Sequence, residues 1–221
     1  MDRIARICAL LEVEYGRPDA KPRYGPLDEF VLTILSQNTS AANYTRAFNA
    51  LRERFPDWDA VRTADVSAIE EAIRPGGLAK IKAPRIRQAL NDIRERTGGL
   101  SLDFLAGMPD QEARAFLMQF DGVGIKTASC VLMFSLGRPV LPVDTHVHRL
   151  AKRLGLIGAG VSAEAAHHVL QAVVSGELVY SFHVNLVTHG RRVCKAQNPD
   201  CNPCVLLELC GFGQSRLAGG G

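Results

Sequence analysis

Apolar residues recur along this chain at intervals of three and four, the spacing that places side chains on one face of an α-helix. Such stripes run through residues 4–11, 27–35 and 44–51, and comparable stripes follow through most of the sequence. The only strand-like run is VLPV at residues 140–143. The pattern therefore predicts an all-α fold.

Glycine- and proline-rich breaks divide the predicted helices. GRPDAKPRYGP ends the first helix as a linker, Pro75-Gly76-Gly77 ends the fourth, and Gly98-Gly99 ends the basic helix that follows. The turn DGVG at residues 121–124 joins two central helices, of which the second is predicted to run to about Leu136.

Short polar residues predict where several helices begin. Ser40 is the expected N-cap of the third helix, and Asp144 is the expected N-cap of a helix that starts at Thr145. Ser67 and Glu70 have the spacing of a capping box at the start of the fourth helix. The Gly-rich end of the chain, residues 212–221, is expected to be a frayed tail.

Composition and charge narrow the function only slightly. The 221 residues are 47% apolar, enough for a full core, and the formal net charge of +3 is a weak hint of an anionic partner. Residues 74–96 carry seven basic side chains against only Asp92 and Glu95, which fits either a nucleic-acid patch or a solvated helix face. No apolar run approaches the roughly 20 residues that span a bilayer, so no membrane association is expected.

Four cysteines stand close together near the C-terminus, in the pattern C-x6-C-x2-C-x5-C. Four thiolates at this spacing can converge on one point, and a closed four-sulfur site suits zinc or an iron–sulfur cluster. A pair of disulfides is the alternative for a secreted chain. The four cysteines are Cys194, Cys201, Cys204 and Cys210.

The compartment of the protein bears on whether the cysteines bind metal or form disulfides. The chain opens with no charged-then-apolar leader, and its other cysteines, Cys8 and Cys130, lie in apolar helical stretches. A reducing compartment favours metal over disulfides. We therefore expect a cytoplasmic protein, associated with the nucleoid if the chain is bacterial.

The DGVG turn has the spacing of a helix-hairpin-helix. Gly122 and Gly124 flank Val123, and the small Ala128 follows one helical turn later. Glycines let the backbone turn sharply and present N–H groups beside a helix N-terminus, which favours a phosphate oxygen. A hairpin of this kind grips a DNA strand without reading bases, although GVG alone also fits a plain helical corner.

Lys126 and Asp144 are unremarkable when each is considered alone. A lysine is usually a solvated charge, and Asp144 fits an ordinary N-cap. A metal site in DTHVH is disfavoured because His146 and His148, two positions apart on a helix, point in different directions.

Taken together, these segments resemble the endonuclease III family of DNA glycosylases, in the helix-hairpin-helix superfamily. The resemblance runs from about Leu27 to Cys210 and rests on the order and spacing of six motifs. They are LSQNTS at 35–40, GGLAKIKA at 76–83, GVGIKTASCVL at 122–132, VDTHVHRL at 143–150, HGRRVC at 189–194, and the cysteine pattern.

The resemblance implies two helical domains and a [4Fe–4S] cluster held by the four cysteines. Residues 24–138 would form a six-helix domain with the hairpin, and residues 1–23 with 139–221 a discontinuous cluster domain. Double-stranded DNA containing damaged bases or abasic sites would lie across the cleft between the domains. We expect a monomer.

The resemblance also implies roles for single residues. Lys126 matches the catalytic lysine, which attacks the sugar C1′ to form a Schiff base, and Asp144 matches the catalytic aspartate. Gln37 and Leu78 match the residues that intrude into the base stack. The remaining expected DNA contacts are Gly122, Val123, Gly124 and Arg191.

The predicted activity is that of a bifunctional glycosylase/AP lyase acting on oxidised pyrimidines. The alternatives are a monofunctional mismatch glycosylase for thymine, uracil or adenine, and a non-catalytic DNA-binding or redox-sensing relative. Thr33 stands where the adenine branch normally has glutamate, and Lys126 argues against both kinds of mismatch glycosylase. The presence of both Lys126 and Asp144 argues against a non-catalytic relative. Asp121, Ile125 and Ser40 depart from the family pattern, which puts DNA affinity and lesion preference in question.

Overall fold

The computed structural model of the protein describes residues 2–219. These residues form two compact units. The first, here the continuous unit, comprises Pro22–Arg138, and the second, here the split unit, comprises Met1–Lys21 together with Pro139–Gly221. The division predicted from the sequence placed the first boundary at residue 24.

Twelve α-helices follow one another with no strand among residues 2–219, which confirms the all-α prediction. They are α1 (Arg3–Tyr15), α2 (Pro26–Ser36), α3 (Ala41–Arg54), α4 (Trp58–Thr63), α5 (Val66–Ile73), α6 (Ala79–Thr97), α7 (Asp110–Leu117), α8 (Ile125–Leu136), α9 (Thr145–Arg153), α10 (Ala163–Val173), α11 (Val179–Arg192) and α12 (Gly211–Ala218). The VLPV run is coil.

The continuous unit is built around α2, which packs against α8, α3 and α6. The apolar stripe of α2 is fully buried, and Phe30 meets Phe120 edge-on with ring centroids 5.4 Å apart. Between residues 26 and 136 the described chain has seven α-helices, one more than the predicted six. The additional helix is α4, a single turn and a half whose N-cap Asp57 accepts a hydrogen bond from the Ala60 amide.

Two of the three predicted helix starts are confirmed. The Ser40 hydroxyl accepts from the Asn43 amide and caps α3, and Asp144 caps α9. The capping box at Ser67 is wrong, because α5 already begins at Val66 with Asp65 at its N-cap position. Ser67 therefore lies within the first turn of α5.

In the split unit, α11 packs against both α1 and α9. The frayed tail expected over residues 212–221 is corrected in part, because Gly211–Ala218 form α12, which contacts α9. The buried Gly213 explains the local order: it lies against Leu207, with its amide directed at Cys210 Sγ at 3.4 Å. Residues 220 and 221 lie outside the described part of the chain. None of the described helices has the length and apolar character needed to cross a bilayer.

Candidate functional site

The turn between α7 and α8 has the geometry of a hairpin between two helices. Gly122 has a φ of +72°, a conformation that favours glycine, and the Val123 amide donates to the Phe120 carbonyl at 3.1 Å. Val123 is buried, which anchors the turn, whereas Gly122 and Gly124 are exposed. No atom lies within 4 Å of the position that a Cβ on Gly124 would occupy, so the backbone there is open to a ligand.

Asp121 at the start of the hairpin is paired with Arg85 of α6. Arg85 Nε donates to Asp121 Oδ2 at 3.0 Å, and a Cβ on Gly122 would lie 3.1 Å from Arg85 Nη1. The sequence analysis identified Asp121 only as a departure from the family pattern and missed this partner. Arg85 is one of the seven basic residues in the stretch 74–96, but nothing in the sequence distinguishes it from the other six as the partner of Asp121.

Lys126 is the second residue of α8 and is half-buried. Glu29 of α2 interacts with it electrostatically. Glu29 is only 8% exposed, and its Oε1 accepts a hydrogen bond from Thr33 Oγ1 at 3.1 Å. Burial raises the pKa of Glu29 to about 7, although the bond from Thr33 and the charge of Lys126 oppose the rise.

The sequence analysis did not identify Glu29. Its only signal is a carboxylate inside the otherwise apolar stripe of α2. A buried titratable group with a perturbed pKa close to a predicted nucleophile is typical of functional sites.

Gln37 lies at the C-terminal end of α2, beside the hairpin. Its Nε2 donates to the Gly122 carbonyl at 3.0 Å and approaches Thr127 Oγ1 at 3.4 Å. The structure thus brings Gln37, the hairpin and the first turn of α8 together. All three lie within the continuous unit.

Leu78 precedes α6 in the left-handed region, with a φ of +53°, and 48% of it is exposed. A leucine in this conformation is strained, and an exposed leucine is not held there by its own burial. Strain of this kind concentrates at functional sites.

Asp144 holds the start of α9 in the split unit. Its Oδ1 accepts from the His146 amide at 2.9 Å and from the Val147 amide at 2.8 Å. The two nearby imidazoles have different partners: His146 Nδ1 lies 3.0 Å from Arg149 Nη2, and His148 Nε2 lies 2.9 Å from the Val161 carbonyl. Lys126 and Asp144 belong to different units, so their joint action stays a prediction.

The four cysteines of the C-terminal loop are unpaired thiols that line one cavity in the split unit. Burial raises the pKa of Cys204 to about 11 and also raises the pKa of Cys210, and the charges of Cys194 and Cys201 contribute to both. Within residues 2–219, no group of three or more His, Cys, Asp or Glu side chains has the arrangement of a metal site. The thiols share a cavity without having ligand geometry.

Polar side chains lie beside two sulfurs of this cavity. Arg153 Nη1 donates to Cys194 Sγ at 3.2 Å, and His189 Nε2 lies 3.4 Å from Cys204 Sγ. The Nδ1 of the same imidazole lies 2.8 Å from the Tyr15 hydroxyl. Because an N–H donor stabilises the thiolate form of sulfur, the Arg153 guanidinium suits a thiolate at Cys194, and the four cysteines are free thiols rather than disulfides.

Arg191 is exposed in the last turn of α11. The neighbouring Arg192 has its guanidinium 5.5 Å from the centre of the Tyr15 ring. Arg191 is therefore accessible to a ligand, and its role in DNA binding stays a prediction.

Comparison with known proteins places these features in one family. Residues 31–175 match the family described as HhH-GPD superfamily base excision DNA repair protein. The endonuclease III of Sulfolobus acidocaldarius is 32% identical over 182 residues, which cover 81% of this chain and 79% of that protein.

An Arabidopsis thaliana protein named "Putative DNA glycosylase" is 42% identical over 165 residues, covering 75% of this chain. The match spans only 56% of that relative's length. Among solved structures, a trapped endonuclease III–DNA covalent intermediate, an estranged-adenine complex, has a TM-score of 0.83 and 27% identity, covering 98% of this chain and 100% of that one.

Proposed function

Since the chain belongs to the endonuclease III family within the HhH-GPD superfamily of base excision DNA repair proteins, we propose that it is a bifunctional DNA N-glycosylase and AP lyase. Its substrate would be duplex DNA with oxidised pyrimidines or abasic sites, bound by a single chain. The observation that carries the proposal is the position of Lys126, half-buried in the first turn of α8 directly after the hairpin.

Lys126 would act as the nucleophile. The neutral amine attacks C1′ of a nucleotide swung out of the stack, the C1′–N bond breaks, and the base leaves with the electron pair. The nitrogen then loses a proton, its electron pair forms the C1′=N bond of the Schiff base, and the C1′–O4′ bond breaks with O4′ taking up a proton. Loss of a proton from C2′ of this Schiff base expels the 3′ phosphate and nicks the strand. The reaction needs Lys126 without its proton, and Glu29 is a nearby carboxylate whose charge affects that proton.

Asp144 would stabilise positive charge that develops on the sugar. Its Oδ1 is occupied by two backbone amides of α9, which fix the orientation of the carboxylate. A carboxylate held in this way pays no reorganisation cost when charge appears. Capping and catalysis are compatible roles for the same side chain.

The DNA contacts would come from the hairpin, the end of α2 and the start of α6. Open backbone at Gly124 suits a phosphate, with the guanidinium of Arg85 lying against the neighbouring Gly122, while Gln37 and Leu78 would fill the space that the flipped nucleotide leaves. Gln37 would exchange its bond to the Gly122 carbonyl for the unpaired base. Arg191 would contribute a phosphate contact.

The four cysteines of the loop would hold a [4Fe–4S] cluster, whose role when bound is to tie the C-terminal loop into the fold. Zinc is the other ion that four thiolates fit. Support comes from the shared cavity, the free thiols and the Arg153 guanidinium directed at the Cys194 sulfur.

Borohydride trapping tests the proposed reaction. Duplexes carrying an oxidised pyrimidine, a G·U mismatch, an A·G mismatch or an abasic site would be incubated with the protein and borohydride. The proposal requires a covalent complex with the oxidised pyrimidine and the abasic site. Base release from a mismatch without any trapped complex would instead identify a monofunctional glycosylase, and binding without base release would identify a non-catalytic relative.

A further inference from the structure

A buried lysine that the proposed reaction does not use bonds to both segments that carry the two predicted intruding residues. Lys82 of α6 is 2% exposed, and its Nζ donates to the Leu35 carbonyl at 2.7 Å and to the Gly76 carbonyl at 3.2 Å. The ion pairs found among residues 2–219 do not include Lys82. Burial accordingly lowers the pKa of Lys82.

The two carbonyls belong to the segments that carry Gln37 and Leu78. Leu35 is in the last turn of α2, two residues before Gln37, where helix carbonyls have no partner within the helix. Gly76 ends the short 3-10 turn Arg74–Gly76, two residues before Leu78. One ammonium group thus joins both segments at the same distance in sequence from their predicted DNA contacts.

The turn is also held from its other side. A Cβ on Gly76 would lie 2.9 Å from the Cβ of Ala47 in α3, so the turn packs against that helix as closely as a glycine allows. Leu78 follows in its left-handed conformation with nearly half of its surface exposed. A strained, exposed residue keeps such a conformation only where its surroundings fix the backbone on both sides.

Using a buried ammonium group as the hydrogen-bond donor to two carbonyls costs free energy. Burying a charge without a counter-charge costs free energy that two neutral acceptors recover only in part. A plain C-cap of α2 would need one donor and no connection to the 3-10 turn. The arrangement is explained if the function of the protein requires a fixed spacing between the end of α2 and the residue before α6.

We propose that Lys82 is a positioning residue that holds the end of α2 and the turn before α6 in one arrangement, so that Gln37 and Leu78 reach the duplex together. The inference rests on the proposed function of these two residues. Lys82 itself does not touch DNA or the reacting atoms. It acts through the carbonyls of Leu35 and Gly76.

The test separates base excision from strand cleavage at a preformed abasic site. Excision of a paired lesion needs the stack to be opened and filled, whereas at an abasic site there is no base to extract. In single-turnover assays Lys82→Met should slow excision by about tenfold or more, because small displacements of positioned groups carry large rate penalties. Cleavage at the abasic site should change less than about threefold by the same reasoning.

Ile93→Ala is the matched control, since Ile93 is fully buried further along the same helix. A purely structural role for Lys82 would make Lys82→Met behave like this control, with both reactions lowered in parallel as the folded fraction falls. That result overturns the inference. Lys82→Gln, which keeps an N–H donor without the charge, gives the same comparison if Lys82→Met does not fold.

Variants of the intruding residues show which idea has failed. If Leu78→Ala and Gln37→Ala leave excision unchanged, their proposed function is wrong, and the inference about Lys82 falls with it. If both variants slow excision selectively while Lys82→Met and Lys82→Gln do not, only the inference about Lys82 is wrong. Fluorescence of 2-aminopurine opposite the lesion provides a second measure: Lys82→Met and Leu78→Ala should both lower the unstacking signal.

Discussion

Arg85 pairs with Asp121 directly over the hairpin, with Nε and Oδ2 3.0 Å apart. The guanidinium also lies against Gly122, so the same side chain covers part of the turn that is proposed to hold a phosphate. The negative charge of Asp121 is therefore partly compensated in the free protein. We therefore predict that Arg85 is a second determinant of DNA affinity at this turn.

Asp121→Asn should tighten binding to damaged and undamaged duplexes alike. The substitution removes a negative charge and releases Arg85 toward the phosphates, and for an exposed pair we expect an effect of about two- to fivefold. Arg85→Ala should weaken both. Affinity measured as a function of salt checks the prediction, because the gain should fade as screening increases.

The control for this pair is Asp59→Asn, which breaks another Arg–Asp pair of the continuous unit, with Arg62, in α4. It changes the net charge by the same amount away from the hairpin. Equal tightening by Asp59→Asn and Asp121→Asn would mean that only net charge matters, and would contradict a specific role for Asp121.

Gly124→Val should weaken binding to plain duplex and to lesion duplex equally. Gly124 has an extended backbone and open space where a Cβ would lie, so the protein should fold normally, whereas a DNA phosphate would be kept from the backbone amides. Gly99→Val, at another glycine with open space, is the control and should not change affinity. Unchanged binding by Gly124→Val would show that this turn does not hold the DNA.

The predicted catalytic pair should separate in two assays. Lys126→Ala should abolish borohydride trapping and leave binding to lesion DNA largely intact. Asp144→Asn should keep α9 capped, since asparagine can accept from the His146 and Val147 amides, yet lose most base excision. Trapping by Lys126→Ala at the wild-type level would identify another amine as the nucleophile.

Local rules predicted the features that depend on neighbours in sequence. Ser40 and Asp144 were recognised as caps because each precedes an apolar helix by one residue, and the hairpin was recognised by its glycines. Ser67 failed because Asp65 competes for the same role two residues earlier. Glycine content also misled the prediction for α12, where Gly213 is needed for close packing against Leu207.

Contacts between distant segments could not be predicted in this way. Arg85 and Asp121 are 36 residues apart, and Lys82 reaches a carbonyl 47 residues earlier. Which of several basic side chains in α6 turns inward depends on how α2, α3 and α6 pack. The electrostatic interaction of Glu29 with Lys126 likewise exists only because α2 packs against α8.

The cysteine loop should yield a brown protein with broad absorption near ~400 nm and about four irons per chain. Cys201→Ser should lower iron content and the thermal stability of the split unit more than it changes trapping by protein that keeps its iron. Cys8→Ser, at a buried cysteine of α1 that does not line the cavity, should leave the iron content unchanged. Stoichiometric zinc in colourless protein purified without oxygen would show that the site holds zinc.

Glu29 should make the stability of the protein depend on pH near neutrality. Its folded-state pKa of about 7 lies above the ordinary value of 4.5, so between these values the folded chain binds a proton that the unfolded chain has lost. Wild-type stability should therefore fall as the pH rises from about 5 to about 8. Glu29→Gln removes this contribution. The free energy of unfolding of Glu29→Gln, minus that of the wild type, should therefore be higher at pH 8 than at pH 5, by up to about 3 kcal/mol.

Denaturant unfolding at a series of pH values measures this difference, with Glu71→Gln as the control. Glu71 is an exposed carboxylate whose bond to Arg54 lowers its pKa. The stability that Glu71 contributes should therefore be lost as the pH falls, and only at acidic pH, which is the opposite of the dependence expected for Glu29. Trapping provides a second readout, since ionised Glu29 favours the ammonium form of Lys126. In Glu29→Gln, trapping should therefore begin at a lower pH than in the wild type. Parallel stability curves for wild type and Glu29→Gln between pH 5 and 8 would show that Glu29 does not titrate there.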